Sequence, residues 1–166
     1  MATINCVLIP ADEEQDIRLI EIEQGDYKAY QAHVGGNFEC LDLDRPPATF
    51  FAHDEAKLIG LPLNRRSTLL LWAHNDRYRG MDVLLGDVVL AGRPDDEGET
   101  LGCPDELIDL LFNTTEYRYL VKTINEDGWH GNARRYDNWL QAYNDGVGLA
   151  ERWALVESVK VVSAAS

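Results

Sequence analysis

The sequence is poor in the features that announce a biochemical class. Its 166 residues hold three cysteines, Cys6, Cys40 and Cys103, odd in number and far apart. That excludes a disulfide framework and a C-x-x-C zinc pair, and it predicts buried free thiols in a reducing compartment. No stretch approaches the ~20 apolar residues that span a bilayer. The early apolar run Cys6-Val7-Leu8-Ile9-Pro10 is short and leads into an acidic segment, Asp12 to Asp16. A secretory signal needs a longer apolar core behind a positive end, so the cytoplasm is the expected compartment. Without secretion, the acceptor-like Asn113-Thr114-Thr115 has no significance. Internal repeats and low-complexity linkers are also missing. Cations are scarce, fifteen Lys and Arg against twenty-nine Asp and Glu, for a net charge of −14. Nonspecific nucleic-acid binding needs a basic surface that displaces counterions, so neither nucleic acid nor a membrane is an expected partner.

What is present is a globular composition, 45% hydrophobic and 27% charged. Ile4–Ile9 and Ile17–Glu23 read as short strands, the second alternating apolar and charged residues. Asp26 is placed to cap a helix over Tyr27–Val34 that ends at Gly35-Gly36. Phe38–Leu43 alternates as a strand, Arg45-Pro46-Pro47 breaks it, and Thr49–Ala52 is a further apolar stretch. Asn64 suits the cap of a helix from Arg65 to about Asn75, with a strand over Ser67–Ala73 as the competitor. Val83–Gly92 has the β-branched content of a buried strand with a glycine bend. Arg93–Pro104 reads as a loop, and Pro104-Asp105-Glu106 opens a helix through Phe112.

In the last third, Tyr117–Asn125 reads as a strand and Glu126-Asp127-Gly128 as a turn. Asn132 is the expected cap of a helix with Tyr136, Trp139, Leu140, Tyr143 and Val147 on its apolar face, interrupted by Gly146 and Gly148. Val156–Val162 is the closing strand. Three of the four tryptophans fall between Trp129 and Trp153. The expectation is an α+β fold, one domain over residues 1–166, with about four helices and a mixed or mainly antiparallel sheet.

Gly60-Leu61-Pro62-Leu63-Asn64 followed by Thr68, then Gly86-Asp87-Val88-Val89 with Gly92, then Gly98-Glu99-Thr100 before Pro104, form a serial pattern. In order and spacing it resembles an uncharacterised domain family common in actinobacterial phages, plasmids and integrated elements. The resemblance covers about residues 17–111 and leaves the Trp-rich segment 112–166 outside as a C-terminal extension on the core. It implies a phage or mobile-element accessory protein and transfers no reaction.

Several clusters are candidates for chemistry. In Trp72-Ala73-His74-Asn75-Asp76-Arg77-Tyr78-Arg79, His74 and Asp76 suit an acid–base pair, and a helix end leading into a solvated loop is the plainer reading. No nucleophile turn lies nearby. His53-Asp54-Glu55 offers metal donors without a further set to complete them, and no cofactor is implied. In Asp95-Asp96-Glu97-Gly98-Glu99, setting Gly98 at the sixth position of a calcium loop puts Arg93 first and Pro104 twelfth, which rejects an EF-hand. Gly146-Val147-Gly148 lacks the rest of a nucleotide fingerprint. The pairs Arg65-Arg66, Arg77-Arg79 and Arg134-Arg135 suit an anion pocket if they converge, and surface ion pairs if they do not. Gly128-Trp129-His130-Gly131-Asn132 is either an exposed aromatic anchor for a partner or a tryptophan folded under the last helix.

Acids concentrate in two places. Residues 1–60 hold twelve acids and four Lys or Arg, and residues 95–109 hold seven acids and no base. Together these features favour an acidic binding module that contacts a host protein with a basic surface, steered by charge and anchored near Trp129. One alternative is a small-ligand or nucleotide-binding protein, a simple binder or an enzyme, built on Arg65, Arg66, Arg77 and His74. Another is a DNA mimic of the kind found among small acidic antirestriction proteins, an analogy of charge alone.

Overall fold

The computed structural model describes residues 2–165. The chain divides into two compact units, one running to Thr68 and resuming over Val83–Asp105, the other comprising Leu69–Asp82 and the chain from Glu106 onward. The class is α+β, and every strand pairing in both sheets is antiparallel.

The first unit is built on a five-stranded sheet in the order β2-β1-β5-β4-β3. Its strands are β1 (Thr3–Ile9), β2 (Arg18–Glu23), β3 (Phe38–Asp44), β4 (Pro47–His53) and β5 (Val88–Gly92). The central strand β5 is buried at all five positions, as its unbroken apolar run requires. Helix α1 (Tyr27–Val34) ends at Gly35, whose φ of 86° is the left-handed turn that glycine permits. Asp26 occupies the cap position, but its side chain makes no capping bond. Tyr30 of α1 stacks on Phe51 at a centroid distance of 4.1 Å, and Phe38 meets Phe51 edge-on at 5.0 Å. Cys6, Leu8, Ile22, Val89 and Ala91 complete that core.

The short helix α2 (Ala56–Ile59) precedes α3 (Arg65–His74). The strand alternative over Ser67–Ala73 is overturned because Asn64 caps the helix, its Oδ1 accepting the Ser67 amide at 3.0 Å. The Asn64 amide group also donates to the carbonyls of Ile9 and Gly86, at 2.8 and 2.9 Å, so one buried side chain ties three segments. The expected strand over Val83–Gly92 shortens to Val88–Gly92. Residues before it are held otherwise: the Leu84 amide donates to the Thr68 hydroxyl at 3.0 Å, and Gly86 turns the chain with φ of 78°.

The second unit contains a sheet in the order β7-β6-β8: β6 (Tyr117–Thr123), β7 (His130–Gly131) and β8 (Val156–Ser163). Helix α4 (Asp105–Phe112) leads into it, and helix α5 (Trp139–Arg152) packs on one face through Leu149 and Ala150 against Val121, Val156 and Val159. Two expectations are corrected here. The cap of α5 is Asn138, whose Oδ1 accepts the Leu140 amide at 2.8 Å. Asn132 instead closes a local turn by accepting the Arg134 amide at 3.0 Å. Residues around Tyr136 are kept from helix because the Tyr136 and Tyr117 backbones exchange both hydrogen bonds. Gly146 and Gly148 do not interrupt α5, which runs through both. A side-chain carbon at Gly146 would stand 2.9 Å from Val159 and 3.0 Å from Tyr119, so this glycine allows helix and sheet to approach closely. Among the described residues, no helix is long and apolar enough to cross a membrane.

Candidate functional site

The arginine pair at the start of α3 is directed at the acidic loop between β1 and β2. Arg65 grips Glu13 with both Nε and Nη2, at 3.0 and 2.7 Å. That bond holds the Glu13 carboxyl below its ordinary value. Arg66 is buried, and its Nη2 donates to three carbonyls, Pro10 at 2.7 Å, Asp12 at 3.1 Å and Gln15 at 2.8 Å. Burial lowers its pKa, and the nearby Glu13, Asp16, Asp12 and Asp87 carboxylates oppose that shift. Two cations therefore fix the shape of a loop that carries four acids, Asp12, Glu13, Glu14 and Asp16.

His74 and Asp76 both lie in the second unit. His74 Nε2 is 2.6 Å from the Tyr143 hydroxyl, whereas Asp76 Oδ2 accepts the Ser158 hydroxyl at 2.6 Å. Asn75 caps the single 3-10 turn Asp76–Tyr78, and Arg77 donates to the same Asn75 oxygen from its amide and Nε. Arg79 donates to the Val156 and Glu157 carbonyls, each at 3.3 Å, fastening this turn to β8. Arg134 leans over Tyr136 and lies 3.7 Å from Asp145, and Arg135 caps backbone carbonyls of its own loop. The arginine pairs thus divide between the units, Arg65 and Arg66 in the first and Arg77, Arg79, Arg134 and Arg135 in the second.

Trp129 is half-buried, and Lys160 Nζ sits 4.5 Å from its ring centroid. It therefore stands beside the Lys160 side chain of β8. His130 is exposed beside Glu126 at 3.7 Å. His53 Nδ1 accepts the Glu55 amide at 3.0 Å, a local turn. Among the described residues, no group of three His, Cys, Asp or Glu is arranged to hold a metal ion.

The acids form a pattern that only the fold reveals. The first unit carries eighteen acids against seven Lys and Arg, net −11, and the second eleven against eight, net −3. Edge strand β2 has a strand partner on one side only. Leu19, Glu21 and Glu23 are exposed on one of its faces. The Asp12–Asp16 loop enters it at one end. At the other end, Gln24 Nε2 donates to the Thr100 carbonyl at 3.1 Å, and Glu99 Oε2 would lie 3.6 Å from a side-chain carbon at Gly25. That end receives the hairpin of Asp95, Asp96, Glu97 and Glu99, with Asp95 Oδ1 accepting the amides of Glu97 and Glu99. Two acidic segments far apart in sequence therefore border one strand about 20 Å long.

A family model described as Domain of unknown function (DUF3846) matches residues 4–116. The match runs from β1 to the residue before β6, and the segment carrying β6, β7, α5 and β8 lies beyond it. No curated protein and no solved structure matches the chain.

Proposed function

The chain belongs to that DUF3846 family, and we propose that it is an acidic binding module, an accessory protein of a phage or mobile element that acts in the host cytoplasm on a host protein. The observation that carries this reading is the acidic border of β2. An edge strand has backbone N–H and C=O groups facing outward, so an extended segment of a partner can add to it as a further strand. Glu21, Glu23 and the acids at both ends select a segment bearing Lys or Arg. Their summed field speeds its approach at low salt. Leu19, exposed among them, supplies an apolar contact at the start of the strand.

The test is titration of the labelled protein with a peptide of alternating valine and lysine, followed by amide shifts. The expected result is shifts confined to β2 and its two flanking loops, weakening as salt rises and abolished in the Glu21→Lys, Glu23→Lys double variant. A host-lysate capture after nuclease treatment then compares the wild type with that variant. Shifts centred elsewhere, or host proteins retained equally by the charge-reversed variant, overturn the reading.

A further inference from the structure

We infer that the outer face of the β6–β8 sheet is a binding surface for single-stranded nucleic acid, distinct from the acidic border of β2. Strand alternation separates the two faces of this sheet. Tyr119 and Val121 of β6, with Val159 of β8, meet α5 on one side. Arg118, Leu120 and Lys122 of β6 point to the other side, paired in register with Val162, Lys160 and Ser158 of β8. Cations therefore stand at both ends of β6, about 13 Å apart, with a third between them on the neighbouring strand.

These cations are uncompensated, which is notable in a chain of net charge −14. Among the described residues, neither the Arg118 nor the Lys122 side chain makes a hydrogen bond or ion pair. Arg118 Nε is buried and has no partner. Lys160 is held by the Trp129 ring. The Asp76 carboxylate accepts the Ser158 hydroxyl, and Lys122, paired in register with Ser158, forms no ion pair with it. Surface cations in an acidic protein ordinarily find carboxylates, as Arg65 and Arg93 do in the first unit.

The apolar part of the face determines the ligand class. Trp129 precedes β7 by one residue, and Lys160 Nζ of β8 stands 4.5 Å from its ring centroid, so an indole accompanies one of the three cations. Gly131, opposite Leu120, makes room: a side-chain carbon there would meet Leu120 Cδ2 at 2.6 Å. Cations beside an aromatic ring and a leucine on this half-buried sheet face suit a ligand whose phosphates and flat bases alternate. Single strands are bound in this way, by charge along the backbone and stacking on side chains. An acidic peptide would use the cations but has no flat group for the indole. The net charge of the whole chain sets the long-range field and leaves this local arrangement intact.

The probe is a short fluorescein-labelled oligothymidylate, read by anisotropy and by quenching of tryptophan fluorescence. Saturable binding is expected. With three phosphates neutralised on a single strand, affinity falls about 20-fold between roughly 50 and 200 mM salt. Lys122→Gln and Arg118→Gln each weaken binding severalfold and Lys122→Glu more than tenfold, whereas Glu39→Gln on β3 leaves it within twofold. Urea midpoints of the variants separate lost contacts from lost fold, and Lys122, at the strand's end, serves if Arg118→Gln unfolds. Absence of saturable binding overturns the inference, as does binding unchanged in the Lys122 variants. Equal affinity for an oligoglutamate also overturns it, assigning the face to an acidic polypeptide.

Discussion

His74 Nε2 and the Tyr143 hydroxyl oxygen lie 2.6 Å apart, with both side chains buried. Burial pushes the Tyr143 phenol well above its ordinary range, with Glu106 and Tyr117 adding to the effect, so it keeps its proton through neutral pH. The pair joins α3 to α5 within the second unit, where Tyr143 also meets Trp139 edge-on at 5.9 Å. Tyr143→Phe preserves the ring and removes the oxygen, leaving the imidazole nitrogen without this partner. The expected loss is about 1–3 kcal/mol, measured by urea unfolding. Peptide binding at β2 remains at the wild-type level in the folded variant, which separates this bond from the proposed activity.

Gly146 and Gly148 sit two residues apart in α5, and opposite outcomes are expected for their alanine variants. An added methyl at Gly146 enters space held by Val159 Cγ1 and the Tyr119 Cβ and Cγ. Overpacking of this kind costs about 1–3 kcal/mol, more than the helix-propensity gain of about 1 kcal/mol. At Gly148 the nearest atom is the end of the flexible Arg152 side chain at 3.4 Å, so the propensity gain prevails. Thermal unfolding of the two variants should move Tm down for Gly146→Ala and up for Gly148→Ala.

These glycines also show where sequence reading stops. Their position in a helical pattern reads equally as interruption or as close packing, and the deciding contact, Val159, belongs to a strand ten residues or more away. Local signals were reliable where the partner is local, as for Asn64 capping α3 and Gly35 ending α1. Asn132 and Asn138 both accept nearby amides, and only the backbone exchange between Tyr117 and Tyr136 makes the second the helix cap. The acids were legible as two segments, but their common border required the Gln24–Thr100 contact. The alternation Arg118-Leu120-Lys122 is visible in the sequence, whereas Lys160 joins it only through the β6–β8 register.

Arg65 and Arg66 are neighbours with unequal expected effects. Arg65 bonds Glu13 at the surface, where such a pair contributes about 0.2–1 kcal/mol. Because the bond depresses the Glu13 pKa, its contribution is present above the ordinary carboxylate range. It is lost as pH falls through the folded-state value. Arg66→Met strips three carbonyls of their donor inside the loop, at a cost of at least the 1.5–3 kcal/mol, about, of one charge-assisted hydrogen bond. Urea midpoints near neutral pH should rank Arg66→Met well below Arg65→Ala. The Arg65→Ala difference should shrink towards pH 3 or so, below the reference carboxylate pKa.

The three free thiols provide a clock for opening of the first unit. Cys40 is exposed on edge strand β3, whereas Cys6 and Cys103 are buried. Burial pushes Cys6 up to about 11, against a smaller downward pull from its hydrogen bond with Tyr30, and pushes Cys103 up to about 12. A disulfide reagent reacts with thiolate, so at pH 8 one fast thiol is expected in the native protein and three after denaturation. Cys103 is anchored through its amide to the Asn5 carbonyl at 2.8 Å, at the junction of the acidic hairpin segment with β1. If that segment opens alone, Cys103 labels faster than Cys6, and if the sheet opens as a unit the two rates coincide. Both folded-state pKa values are raised above the unfolded value near 9, so the buried thiols contribute fully to stability below pH 9. That contribution falls away as pH rises towards 11 and 12. Urea midpoints should therefore decline above pH 9 with Cys6 and Cys103 present, and less steeply in a Cys6→Ala, Cys103→Ala variant, whatever its starting stability.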